Sequence, residues 1–200
     1  LPICYPVKDT LFMEFHGTNA GVQEQAEMVQ AIAKDHGGGH FVWTAQTEER
    51  TKLWQARHDA AWSAKQARPG WGFWATDVCV PISRLAEVIL ATKADIGKEG
   101  LVAPIVGHVG DGNFHLVILV KPNDPAYFAR TQAVNDRMIA RTLAVGGTCT
   151  GEHGIGLCKK KYLRAEHGEG VAVMEAIKHA LDPQNLMNPG KIFGPDRPLH

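Results

Sequence analysis

Short cysteine pairs are missing from this sequence: Cys4, Cys79, Cys149 and Cys158 are scattered, and no two of them form a CxxC unit. That spacing disfavours a zinc ribbon, a thioredoxin-like motif and a disulfide framework, and it fits a reducing compartment better than secretion. Net charge is missing too. Lys plus Arg and Asp plus Glu number 21 each, so no long-range field gathers nucleic acid, anionic lipid or a charged substrate, and ionic recognition has to be local. The longest apolar run, around Leu116 to Val120, falls far short of the roughly 20 residues that cross a bilayer as a helix. HExxH is absent, which removes the usual helical zinc-hydrolase signature. Neither a signal pattern nor an initiator Met opens the chain at Leu1, and the start reads as a truncation.

What is present is ordinary globular material, 200 residues of which 44% are hydrophobic and 21% charged, enough to bury a core. Leu11 to His16 alternates weakly and predicts a strand, as does Phe41 to Ala45. Asn19 predicts the cap of a helix over 22–34, and Thr47 with Glu48 and Glu49 the start of one running through Leu53, Trp54, Arg57, Ala60 and Ala61. Phe73 to Pro81 predicts a strand and Ile82 to Ile96 an amphipathic helix. Two apolar runs, 101–109 and 114–120, flank a Gly-Asp-Gly-Asn turn and predict a hairpin; helices follow over 127–145, 159–164 and 171–181. A tight hairpin demands antiparallel pairing. The expected fold is therefore α+β, a ferredoxin-like antiparallel sheet with helices mainly on one face and a C-terminal helical segment, forming one domain over 1–200.

Ten histidines are many for this length, and several stand beside glycine or an acid. With Asp111 and Gly112 at the centre of a two-residue turn, His108 faces His115 across the hairpin, at a Cβ separation of about 4.5 to 5.5 Å that suits two ligands on one metal. Glu152, between glycines in GTCTGEHGIG, is the best third ligand, giving a three-residue site open at a fourth position. His153 is then left over for proton transfer. The bland alternatives are exposed polar residues beside a turn and a solvated loop. Cys149 near His153 also allows a thiol nucleophile with its base. Trp43, Trp54, Trp62, Trp71 and Trp74 read as core or cleft packing.

Three motifs in this order and spacing, GHVGDGNFHLVILV, GTCTGEHGIG and LDPQNLMNPGKIF, resemble the C-terminal domain of FAD-linked oxidases of the vanillyl-alcohol oxidase superfamily. Cytochrome-linked D-lactate dehydrogenases and the glycolate oxidase flavin subunit are the members most similar, with D-2-hydroxyglutarate dehydrogenases further off. The resemblance implies that His108, His115 and Glu152 hold a divalent metal, zinc first and manganese or iron as alternatives. It implies His153 as the catalytic acid/base, Arg57 as an anchor for the substrate carboxylate, and Asn188 as the residue that approaches the flavin. Some relatives carry a polar residue where this chain has Val117 and a lysine where it has Ala75, departures that argue against a long dicarboxylate.

By that resemblance the chain contributes to oxidising a D-2-hydroxy acid, D-lactate foremost, to the 2-oxo acid with hydride passing to FAD. Glycolate or another 2-hydroxy acid is the alternative substrate, and a zinc-dependent hydrolase or a non-catalytic module the alternative class. Cytochrome c, a quinone or an electron-transfer flavoprotein is the expected electron acceptor, a homodimer is the expected assembly, and the expected location is cytoplasmic or mitochondrial, in the latter case at a membrane periphery or free. Since the family's flavin domain lies N-terminal to this region, the 200-residue chain alone is expected to fold, to be colourless, and not to turn over D-lactate. Stoichiometric FAD retained by it in an absorption spectrum would overturn that domain assignment.

Overall fold

The computed structural model describes residues 8–39 and 41–194, and the chain divides between Trp62 and Ser63 into two compact units. In the first, α1 (Asn19–Asp35) begins one residue earlier than a cap at Asn19 allows. Thr18 is the N-cap, and its hydroxyl accepts the Gly21 N–H at 3.2 Å. Thr47 likewise is the first residue of α2 (Thr47–His58) and not its cap. The helix stops at His58, where Asp59 accepts from the Gln55 side chain, and restarts as α3 (Ala60–Gln66). The strands expected over 11–16 and 41–45 do not form. A strand needs a neighbour to take up its N–H and C=O groups, and among the described residues none pairs with either segment.

The second unit is organised around one strand, β4 (Asn113–Val120). On one edge it pairs antiparallel with β1 (Gly72–Ala75) and β2 (Val78–Cys79), from Gly72 opposite Val120 to Cys79 opposite Asn113, in a single register. The strand expected over 73–81 is thus one path interrupted at Thr76 and Asp77. On the other edge, β3 (Ile105–His108) pairs with β4, and the N–H groups of Val117 and Leu119 extend the ladder to Pro104 and Val102. The architecture is α+β with a small antiparallel sheet, as expected.

Alternation along β4 sends Phe114, Leu116 and Ile118 to one face. There they join Leu85 and Val88 of α4 (Ile82–Glu99) and Val134, Met138 and Ile139 of α5 (Pro125–Ala144) in one buried cluster. Gly100 ends α4 in a left-handed conformation, and Asp124 caps α5 by accepting the Tyr127 N–H, with Pro125 in the first turn. Arg137 and Arg141 bridge the two helices through Asp95, and Arg137 also reaches Glu99. The opposite face of β4 presents Asn113 and His115. Two short helices, α6 (Lys160–His167) and α7 (Gly170–Leu181), follow the glycine-rich loop.

The β3–β4 turn is wider than a two-residue hairpin. Val109 to Asp111 form a 3-10 turn, His108 lies opposite Asn113, and His115 lies opposite Val106. A shift of two positions keeps both histidines on one face but makes them diagonal neighbours, about 7 to 8 Å apart at Cα. The cause is tertiary. The Gly112 carbonyl accepts the Val80 N–H at 3.0 Å, and a Cβ on Gly112, whose φ is +78°, would collide with the Val80 carbonyl.

Phe114 is fully buried where sheet and helices meet, so Phe114→Ala is expected to remove about 3 to 5 kcal/mol of stability, whereas Leu90→Ala, at a position 65% exposed, should change it by less than about 0.5 kcal/mol. Urea unfolding followed by circular dichroism checks the contrast.

Candidate active site

The interruption at Thr76 releases backbone groups for side chains. Thr76 still donates its N–H to the Leu116 carbonyl, but the Leu116 N–H returns to the Thr76 hydroxyl at 2.9 Å instead of the carbonyl. The freed Thr76 carbonyl lies 2.9 Å from His115 Nδ1. A carbonyl can only accept, so Nδ1 carries a proton and donates it there. Nε2 faces Glu152 Oε1 at 2.9 Å.

The loop after α5 arrives through a two-way bridge between Cys79 and Thr148, with N···O distances of 2.8 and 3.2 Å. Glu166 accepts the Cys149 N–H at 2.9 Å just beyond. Gly151 passes so close to the Asn113 amide that no side chain fits there. Glu152 and His153 then point outward with side chains 49% and 46% exposed. The His153 ring stacks on that of His115, centroids 4.9 Å apart and 11° from parallel, and its Nε2 is 3.7 Å from Glu152 Oε1.

Beneath the loop lies Asp77, which the sequence reading passed over as one polar residue inside a strand. Its side chain is fully buried. Oδ2 accepts from the Thr150 hydroxyl and from the Glu152 and His153 N–H groups, each at 2.9 Å, and from Lys159 Nζ at 3.3 Å, while Oδ1 accepts from the Asn113 amide at 2.8 Å. Burial pushes the Asp77 carboxyl pKa upward. The N–H groups of His153 and Glu152, the Asn113 amide and the Lys159 charge outweigh it and hold the group well below the usual carboxylate range. Burial depresses Lys159 in turn, against the pull of Asp77. Asn113 also donates to the Val78 carbonyl at 3.0 Å, leaving its buried Oδ1 without a partner. The signal available in the sequence was Asp77 itself, an acid inside an otherwise apolar strand.

A cleft of ≈ 360 Å³ opens over these groups, lined by Cys79, His108, Asp111, Asn113, Gly151 and Glu152. Contacts bring His115, Glu152 and His153 together, while His108, diagonal to His115 on the sheet, lines the cleft with Glu152. Arg57 stands on α2 in the first unit, without an ion pair among the described residues. The nearby acids Glu49 and Asp59 are engaged elsewhere, Glu49 with Lys52 and Asp59 with Gln55. Asn188, exposed with φ +49°, sits in the loop after α7. There Asp182 accepts the N–H groups of Leu186 and Met187, and the Ile192 N–H ties the loop to the Gly156 carbonyl at 2.8 Å.

The donor set fits a divalent cation. Two acceptor atoms can sit 2.9 Å apart only with a proton or a cation between them, and an imidazole whose Nδ1–H is anchored on a backbone carbonyl is oriented as metal-ligating histidines are. Ligand atoms of Asp77, His115 and His153 also come within 4.8 Å of one another; Asp77 Oδ2 is taken up by four donors, while Oδ1 accepts from the Asn113 amide alone.

The model of the family described as FAD linked oxidases, C-terminal domain, matches residues 5–192. The chain belongs to this family. It is 49% identical over 192 residues to a probable mitochondrial D-lactate dehydrogenase of Danio rerio, covering 96% of this chain and 39% of that protein. It is 41% identical over 187 residues to the mitochondrial D-lactate dehydrogenase [cytochrome] of Arabidopsis thaliana, covering 93% and 33%, and 34% identical over 191 residues to the glycolate oxidase subunit GlcD of Bacillus subtilis, covering 94% and 40%. The chain therefore spans two fifths or less of the length of these relatives.

Cys149 is not a nucleophile for His153. It is fully buried, and burial together with Glu166 pushes its thiol pKa up to about 12. Brief treatment of the native protein with a maleimide at pH 7 should label exposed Cys158 and spare Cys149, as read by peptide mass mapping.

Proposed function

We propose that this chain is the substrate- and metal-binding C-terminal domain of a FAD-dependent dehydrogenase that oxidises a D-2-hydroxy acid, D-lactate foremost, to the 2-oxo acid. The observation that carries the reading is the 2.9 Å approach of His115 Nε2 to Glu152 Oε1 beside the stacked His153 ring, in a chain whose relatives are named for lactate and glycolate oxidation.

His108, His115 and Glu152 are the proposed ligands of the cation, zinc foremost. When bound, the cation would supply positive charge that orients the acid and lowers its hydroxyl pKa, and the flavin would supply the hydride acceptor. His153 accepts the hydroxyl proton at Nε2, the ring nitrogen on the Glu152 side, and its stacking on His115 holds the ring plane during the transfer. Arg57 is the proposed anchor of the substrate carboxylate through its planar guanidinium, as the family resemblance implies, and among the described residues it makes no ion pair. Asn188, exposed in the loop after α7, would approach the flavin, which residues outside this chain would hold.

Substrate size is read from the strand face that continues from His115. Val117 follows two residues on, and Ala75 lies directly opposite it. This apolar pair offers nothing to a second carboxylate, which supports a short monocarboxylate; glycolate, suggested by the relative at 34% identity, is the second reading. In the same proposal the acceptor is a cytochrome and the compartment mitochondrial, as in the names of the relatives from Arabidopsis thaliana and Danio rerio. Among the described residues no helix is long and apolar enough to cross a membrane.

In the full-length protein, His153→Asn should lower kcat/KM for D-lactate by roughly 10² to 10⁴ while metal content survives. Glu152→Gln should instead lose metal by about 10- to 100-fold in affinity, and Arg57→Ala should raise KM. Steady-state kinetics with metal analysis test the set. A His153 variant that keeps wild-type turnover, or loses its metal with its activity, would sink this division of labour.

A further inference from the structure

We propose that Asp77 is a positioning residue that sets the aim of Glu152 and His153 by holding the backbone of both; the inference rests on the roles just assigned to those two residues. Their side chains are about half exposed and stand in a loop bracketed by Gly151 and Gly154, so little packing beyond the stacking of His153 on His115 fixes where they point. Their backbone N–H groups are what the fold grips.

Both donate to one oxygen, Asp77 Oδ2, at 2.9 Å, and Thr150 Oγ1 reaches the same atom at the same distance. Three donors from four consecutive residues on a single acceptor fix the peptide planes of the loop, and with them the Cα–Cβ directions of Glu152 and His153. The carboxylate cannot drift. Asn113 holds Oδ1 at 2.8 Å, Lys159 closes over Oδ2, and Gly151 packs against the Asn113 amide where any side chain would collide. The strand register also places Asp77 opposite His115, with Oδ1 3.6 Å from its Nδ1. One buried group thereby ties the loop residues to the histidine on β4.

A ligand role for Asp77 is the competing reading of the same cluster, and the two differ in what the surrounding donors do. If Asp77 positions the loop, the residues that bond it matter without being ligands. If it coordinates, they do not.

The test uses the full-length protein carrying Asp77→Asn, Thr150→Val or Lys159→Met. Amide hydrogen exchange of the peptides containing 150–154 and 113–120 is followed by mass spectrometry in chelator, without substrate. Metal affinity is then measured by chelator competition, and kcat and KM at saturating metal. Asp77→Asn is expected to speed exchange at 152 and 153 at least tenfold with 113–120 unchanged. It should also weaken metal retention and lower kcat, each by about 10- to 100-fold, with KM nearly constant. Thr150→Val and Lys159→Met should shift exchange and kcat the same way by smaller factors, and they carry the test if Asp77→Asn does not fold. Wild-type exchange at 152 and 153 in folded variants overturns the proposal. So does loss of metal in Asp77→Asn alone, with Thr150→Val and Lys159→Met indistinguishable from wild type. Because exchange is read without metal or substrate, absent lactate oxidation would defeat the proposed function while leaving the anchoring role decided on its own terms.

Discussion

An ionised carboxylate buried without partners costs several kcal/mol, and the geometry of the second unit follows from how Asp77 avoids that cost. Its five donors come from β4, from the glycine-rich loop and from the residue just before α6. Each donor satisfies the charge and also pins a segment, so three stretches distant in sequence meet at one point. Where β1 gives way to β2 the ladder opens by two residues, and this opening lets the Asp77 side chain lie under the loop while Thr76 turns its carbonyl toward His115.

Rigidity and exposure are divided between the two sides of this site. His115 is 7% exposed and locked by its Nδ1–H bond on a central strand, so one imidazole is preorganised by the sheet. Glu152 and His153 stand at the rim, where a small molecule can reach them. A site that binds and releases substrate needs accessible side chains, and a site that moves protons needs them held to a fraction of an ångström. Anchoring the backbone while leaving the side chains bare meets both demands.

The apolar pairing of Ala75 with Val117 continues the His115 face, and the wide β3–β4 turn puts His108 on the cleft wall instead of directly opposite His115. The turn is held open by the Val80 bond to Gly112, so the distance between the two imidazoles is set by the residue after β2 as much as by the hairpin itself.

The amino-acid order alone determined the helix periodicities, the α+β class, the two apolar runs of the hairpin and the set of histidines and glutamate worth attention, because all of these are encoded within a few residues of one another. Asn19 and Thr47 are helical residues and not caps, because any short polar side chain near a helix start can take that role and the backbone leaves the helix at Thr18 and Gln46, of which only Thr18 makes a side-chain cap bond. The 11–16 and 41–45 segments have strand-like alternation but no neighbour, and pairing is a non-local property. The hairpin register was decided by the contact between Val80 and Gly112, residues 32 apart in sequence, and the importance of Asp77 by donors 36 to 82 positions away. Local pattern shows which residues are able to do chemistry; only the folded chain brings a buried carboxylate under a loop and turns two of that loop's side chains toward one histidine.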